Sequence, residues 1–370
     1  MFFRARACGG NSPCAELVRT LDNQQKNMNT VTQPAPIVFA SPETQVMHRE
    51  MLVWDCLSLY YILDEPYAQQ SLEGGVNVVN ATFGTEEDWE TVLRNFELGL
   101  ARIERSPLLA LALTADDIVR IKAQGKLAIV IGTQGSSFFE KELYRIELLH
   151  RLGLRICGLA YTGGTLHADG CGEKRNAGLS FLGRELIDAV NRLPMWLDLS
   201  HCGHRTREEA VLIARAPVCT HSNAYGLNAN DRNTTDATAK AIVAKGGMLG
   251  VCGLPKTVWP QDATLDRLVN HIDYYAQLIG SEHVGFACDF VAAYKASGHI
   301  LPASKRWRTL RPDVFGTVDE FLTQSYPVGL TQIRELPNLT QTLRDRGYPK
   351  EQITGIMGAN WLRTFRQLVG

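Results

Sequence analysis

Eight short apolar runs of strand type, each followed by a stretch of helical periodicity, constrain this chain more than anything else in it. The runs are 51–55, 76–82, 127–134, 154–161, 195–201, 217–222, 247–252 and 284–289. Between them, apolar residues recur at helical spacing over stretches such as 87–104, 115–123, 140–152, 181–192, 206–215, 236–244 and 265–279. Thr114 and Thr235 supply capping side chains at two of the helix starts. Eight strands alternating with helices in one chain of 370 residues predict a (β/α)8 TIM barrel, a single large α/β domain. The competing open, doubly wound sheet needs a glycine-rich phosphate turn after an early strand, and the sequence has none. Residues 1–46 read as a partly irregular leader, rich in Asn, Gln, Thr and Pro from about 20 to 36, and 47–370 as the barrel.

Composition matters here for what it removes. Hydrophobic residues make up 45% and charged residues 21%, enough for a full core. A formal net charge of -1 argues against a nucleic-acid surface or an anionic membrane partner and leaves small neutral or zwitterionic ligands. The longest apolar stretch, 108–113, is far short of the ~20 residues of a membrane helix. No apolar segment of signal-peptide type follows the first residues. The nine cysteines are scattered without a CxxC pair, which predicts a reducing compartment and, by default, a cytoplasmic protein.

Barrel sites gather at the carboxyl ends of the strands. Those ends are Asp55, Thr82, Gln134, Tyr161, His201, His221, Cys252 and Asp289, and five of them (Asp55, Gln134, His201, His221 and Asp289) are types that bind metal. His201 and His221 close successive runs, so two neutral imidazoles can converge on one ion. The other histidines carry weaker signals. His204 is expected to begin the next helix, His167 lies in a loop over the mouth as a substrate-loop candidate, and His271 and His283 read as structural. Beyond Asp289, the excursion 294–314 carries Lys305, Arg306, Trp307, Arg308 and Arg311, a basic and aromatic segment that fits a lid, a selector of anionic substrates or a dimer contact.

Several motifs resemble the membrane (renal-type) dipeptidase family of zinc peptidases. They are Asp198-Leu199-Ser200-His201, Thr220-His221-Ser222-Asn223, Arg232-Asn233 and 284–290, supported by 178–186 and 358–363, and they run in the family's order from about Met51 onward. The resemblance implies an amidohydrolase-type barrel, a two-zinc site that hydrolyses dipeptides, and a homodimer. It places His201 and His221 on the second zinc, Asp289 on the acid that handles protons of the water and leaving amine, and Arg232, with Asn233 beside it, on the substrate's carboxylate. Tyr161 falls where the family has a histidine near the substrate.

The departures are concentrated on the first zinc. Leu57 and Leu59 replace its histidine and aspartate, and Gln134 replaces the bridging glutamate, an amide that cannot carry the negative charge. A dication beside two leucines lacks its anionic oxygens. The expectation is one zinc or none, held by His201 and His221 with Gln134, Asp289 or water completing the sphere and Asp55 supporting it from behind. Three functions follow: a single-metal hydrolase of dipeptides or related small amides with a free carboxylate, a catalytically inactive binding or assembly protein, or an enzyme repurposed in a biosynthetic pathway.

Overall fold

Strand residues alternate between the inside of a cylinder and the helices around it, and this period of two builds the architecture. The structure is a computed structural model describing residues 35–293, 302–323 and 326–370. Of the expected leader, 1–34 lies outside the described residues, as does 294–301 of the excursion after Asp289. The strands are β1 (Trp54–Ser58), β2 (Val78–Thr82), β3 (Leu109–Leu111), β4 (Leu127–Gly132), β5 (Leu154–Gly158), β6 (Trp196–Asp198), β7 (Pro217–Val218), β8 (Leu249–Cys252) and β9 (Val284–Ala287). All pairings among them are parallel, in the order β1-β2-β4-β5-β6-β7, with β8 paired to β9. A single parallel bridge, Cys219 to Leu249, joins the two sheets, and the Cys288 amide donates to Asp55 Oδ1 at 2.8 Å across the seam between β9 and β1. The result is a (β/α)8 barrel in one domain.

The eight expected runs correspond to eight staves, and β3 is an addition. It pairs with the lower half of β4, Leu109 opposite Leu127, on the edge that β5 takes over higher up at Ile131. Other differences have local causes. The first strand begins at Trp54 rather than 51, so Asp55 lies inside β1 instead of ending it. The runs 195–201 and 217–222 give strands of three and two residues. Both stop because the Asp198 carboxylate captures the Ser200 and Thr220 backbone N–H groups at 3.0 and 3.1 Å. The stretch 140–152 is helical only over Tyr144–Arg151, behind a turn where Glu140 takes φ 52°.

Helices coat the barrel with apolar stripes. In Trp89–Arg105 the buried residues Val92, Phe96, Gly99 and Ile103 recur at helical spacing, and Asp88 caps the start by accepting from Thr91 N. Thr114 forms a capping box with Asp117, and Thr235 caps Asp236–Ala244. The helix Pro42–Glu50 contains the expected leader boundary, and residues just before it are hydrogen-bonded to Glu335 and Asn338.

The barrel interior is apolar at its base and polar at its mouth. Trp54, Val78, Val130, Ile156, Trp196 and Val218 fill the base together with Trp361 and Phe365 from the last helix. Gly132 is required higher up, since a Cβ there would lie 2.1 Å from Asn80 Oδ1. A register irregularity between Asp55 and Ser58 turns Leu57 into the same interior cluster.

Candidate functional site

His201 and His221 stand three residues past the ends of β6 and β7, and their Nε2 atoms are 3.1 Å apart. The hydrogen bonds around them fix the tautomers. Asp198 Oδ1 accepts from the Ser200 hydroxyl at 2.6 Å, and Oδ2 accepts from the Thr220 hydroxyl at 2.6 Å. Thr220 has spent its only hydrogen, so its oxygen accepts from His221 Nδ1 at 2.6 Å. His221 therefore turns a bare Nε2 lone pair toward His201, which donates from its own Nε2 and leaves Nδ1 without a partner. Both imidazoles are held neutral, with pKa values well below the usual histidine range because they are buried and because Arg232 and Arg207 lie nearby. Tyr161 stacks on His201 with ring centroids 4.2 Å apart.

Two buried arginines build the wall behind the pair. Arg207 donates to the carbonyls of Leu199, Ser200, Arg232 and Asn233 at 3.1, 2.7, 2.9 and 2.6 Å. Arg232 donates from Nη1 to the Ser200 carbonyl, and its Nη2 has no partner.

Leu59, Gln134, Tyr161, His201, Arg232 and Asp289 line one cavity of about 90 Å³, room for several waters or one compact ligand. Asp289 follows β9 in the left-handed region, φ 52°, a conformation that costs a non-glycine residue about 1 kcal/mol or more and recurs at functional sites. The Tyr326 hydroxyl holds its carbonyl, and its carboxyl lies 3.7 Å from the Cys252 thiol. Burial pushes that carboxyl up to about 6, against the pull of Arg232, the Cys252 thiol and Arg308.

The roof is a lid of three short helices, Pro302–Leu310, Pro312–Phe315 and Val318–Thr323. Trp307, Arg308, Phe315 and Phe321 reach the cavity from it. Arg311 fastens the lid to Asp231 at 2.7 Å and to the Gly172 carbonyl at 3.1 Å, Trp307 Nε1 donates to Glu86 at 3.2 Å, and Asn230 donates to the Val314 carbonyl at 2.9 Å. Leu59 packs under the lid against a cluster of Val291, Phe321 and Tyr326.

Tested against a metal, the pair fits one ion and the surroundings do not fit two. Two imidazoles on one tetrahedral zinc, with Zn–N of about 2.0–2.1 Å, place their nitrogens about 3.3 Å apart. The observed 3.1 Å and the locked His221 tautomer match that requirement. Among the described residues, however, no group of three or more His, Cys, Asp or Glu side chains converges, so neutral oxygens would have to complete the sphere. Gln134 donates Nε2 to Thr82 Oγ1 at 2.9 Å, which leaves its amide oxygen for such a role.

The remaining expected residues fall elsewhere. His221 lies behind His201, outside the cavity lining, and Asn233 spends its amide on the Asn228 and Thr257 carbonyls at 2.9 and 3.0 Å. Asp55 staples the barrel seam. His167 is buried between Ser136 and the Glu140 carbonyl, His271 between Ala224 N and the Val258 carbonyl, and His204 starts its helix near Asp231. Sequence reasoning passed over Arg207, although it shares the inward register of Ala210 and Val211, where a cation must have buried partners.

Residues 43–301 match the family described as Membrane dipeptidase (Peptidase family M19). Dipeptidase tcpJ of Claviceps purpurea is 27% identical over 271 residues, 71% of this chain and 56% of that protein. An uncharacterized dipeptidase of Schizosaccharomyces pombe is 30% identical over 262 residues, 68% of this chain and 56% of that protein. The chain thus spans little more than half the length of these relatives. An amidohydrolase from Pseudomonas aeruginosa superposes with a TM-score of 0.76 at 29% identity, covering 88% of this chain and 99% of that one. A metallo peptidase from Rhodobacter sphaeroides, at 19% identity, shares the fold with a TM-score of 0.69 over 86% of this chain and 99% of its own. The strand-end motifs, the barrel and the extent of the match place this chain in the membrane dipeptidase family.

Proposed function

We propose that the chain is a metal-dependent hydrolase of the dipeptidase type, taking a dipeptide or related small amide with a free carboxylate under the lid and working with one metal ion. The observation that carries this reading is the convergence of Arg232, Asp289 and His201 on a single buried cavity. His201 and His221 would hold the ion through Nε2, His201 after its proton moves to the unpartnered Nδ1, with the Gln134 amide oxygen and water at the remaining positions. An ion held there would supply Lewis-acid polarisation of the scissile carbonyl and a more acidic water. Arg232 offers its unpaired Nη2 to the ligand's carboxylate. Asp289, with a pKa near 6, is poised to take a proton from water and return it to the leaving amine. Seven free, buried cysteines among the described residues support a reducing, cytoplasmic setting. The homodimer implied by the resemblance belongs to the same proposal, and sedimentation should read twice the chain's mass.

Protein purified without chelators should carry about one zinc per chain and cleave dipeptides, and His201→Ala should abolish both. Negligible metal after titration with zinc, manganese or iron, together with no cleavage, rejects the reading. One observation favours a second reading, a catalytically silent binding protein. The imidazole pair is already hydrogen-bonded within itself, and two guanidinium groups near it oppose the added positive charge of a cation. Dipeptides bound but uncut by metal-free protein would support that alternative.

A further inference from the structure

Two buried guanidinium groups face the cavity, and among the described residues neither has a carboxylate within 4 Å. Arg232 is 1% exposed and bonds only carbonyl oxygen through Nη1, leaving Nη2 unpaired. Arg308, from the lid, is 8% exposed and is held by the Ser304 hydroxyl at 3.3 Å and by the Phe315 carbonyl. It stacks 4.1 Å over the Phe321 ring, which fixes its plane against the roof. Burying a cation without an anionic partner is costly, and proteins keep such groups where a ligand supplies the missing charge. Asp289 is the cavity's one acid. Ionised, it leaves an excess of one positive charge.

We propose that Arg232 and Arg308 form a two-point clamp that selects a ligand bearing two carboxylates, so that the preferred substrate is a dipeptide with an acidic side chain. The inference rests on the dipeptide reading above and deepens it. Arg232, in the wall behind the histidines, takes one carboxylate and Arg308 in the lid takes the other, while Asp289 on the same cavity stays free for the proton transfers given to it above. Such a ligand has a net charge of one negative, which offsets the excess left by the side chains, and a bound cation would strengthen the attraction for the second carboxylate. It also explains why the lid carries an arginine inward: closing the lid over an acidic ligand brings the second charge into place, while a neutral ligand leaves Arg308 buried and unpaired.

The test compares near-isosteric pairs, Ala-Glu against Ala-Gln and Glu-Ala against Gln-Ala, by calorimetry or by kcat/KM where the peptide is cut. Glutarate against its monoamide is run alongside. In at least one peptide pair the acid form should be favoured about tenfold or more, the scale of one charge-assisted hydrogen bond. Arg308→Gln should collapse that ratio toward one, and Arg308→Lys should restore part of it. Thermal melting confirms that each variant is folded, and if Arg308→Gln is not, the Arg308→Lys ratio decides. Equal use of the acid and amide forms, or an unchanged ratio in Arg308→Gln, overturns the clamp while leaving the dipeptide reading intact. Arg308-dependent preference for glutarate with no dipeptide bound keeps the clamp and overturns the dipeptide reading. Binding of none of these ligands overturns both.

Discussion

At the scale of single residues, the site depends on side chains that never reach the cavity. Asp198 fixes Thr220, Thr220 fixes the His221 tautomer, and the tautomer decides whether Nε2 has a lone pair to offer. Thr220→Val should therefore lower zinc affinity about 10–100-fold, the usual effect of removing a ligand's outer hydrogen bond, and a zinc titration reads it directly. An unchanged affinity would show that the relay does not set the tautomer. Asp55 makes a second residue-level prediction. Burial leads the causes that raise its pKa from 3.8 to about 7, so the folded chain binds the proton more tightly than the unfolded one. Stability then falls as pH rises from about 4 to about 7. Asp55→Asn removes that slope, and denaturant unfolding should show the variant gaining on the wild type by up to about 4 kcal/mol across the window. Much of this was legible in the sequence: the histidine pair, Arg232, Asp289 and the substituted Leu57, Leu59 and Gln134 stand in recognisable motifs. The role of Arg207 was not, because its partners are backbone carbonyls, which every sequence has.

Among the elements, the lid matters most. A run from Lys305 to Arg311 reads as basic and aromatic in one dimension, but only the helix Pro302–Leu310 sorts it, turning Trp307 and Arg308 inward while Lys305 and Arg306 stay exposed. Arg311 is the fastening. It is 7% exposed and pairs with Asp231 across to the barrel and with Asp313 within the lid. Arg311→Ala should free the lid, and hydrogen exchange over 302–323 should accelerate by at least tenfold with KM raised, while the barrel strands keep their protection. Exchange that stays slow would mean that Trp307 and the apolar contacts hold the lid unaided. The strands were the easier part of the reading, since their apolar runs are continuous. β3 escaped because three residues carry no usable period, and β6 and β7 were overestimated because Asp198 takes backbone donors that the ladder would otherwise use.

For the whole molecule, closure is the decisive property. Trp54 and Trp196 stack at 6.0 Å, Trp361 meets Trp196 at 5.4 Å, and Phe365 meets Trp54 at 5.5 Å, so the last helix plugs the barrel's base. Gly285 is part of the fit, because a Cβ there would lie 2.2 Å from Trp361 Nε1. Phe365→Ala should cost about 3–5 kcal/mol in denaturant unfolding, the range for emptying a buried aromatic site. A loss below about 1 kcal/mol would show that the base seals without it. The sequence by itself determined the βα rhythm, the barrel class and the residue types at the strand ends, because local periodicity and strand polarity need no partner to be read. Only the tertiary structure decided that His221 stands behind His201, that Asp55 staples the seam and that Arg308 lines one cavity with Arg232. Those relations join residues from 20 to more than 200 positions apart, and barrel closure, a non-local event, is what brings them together.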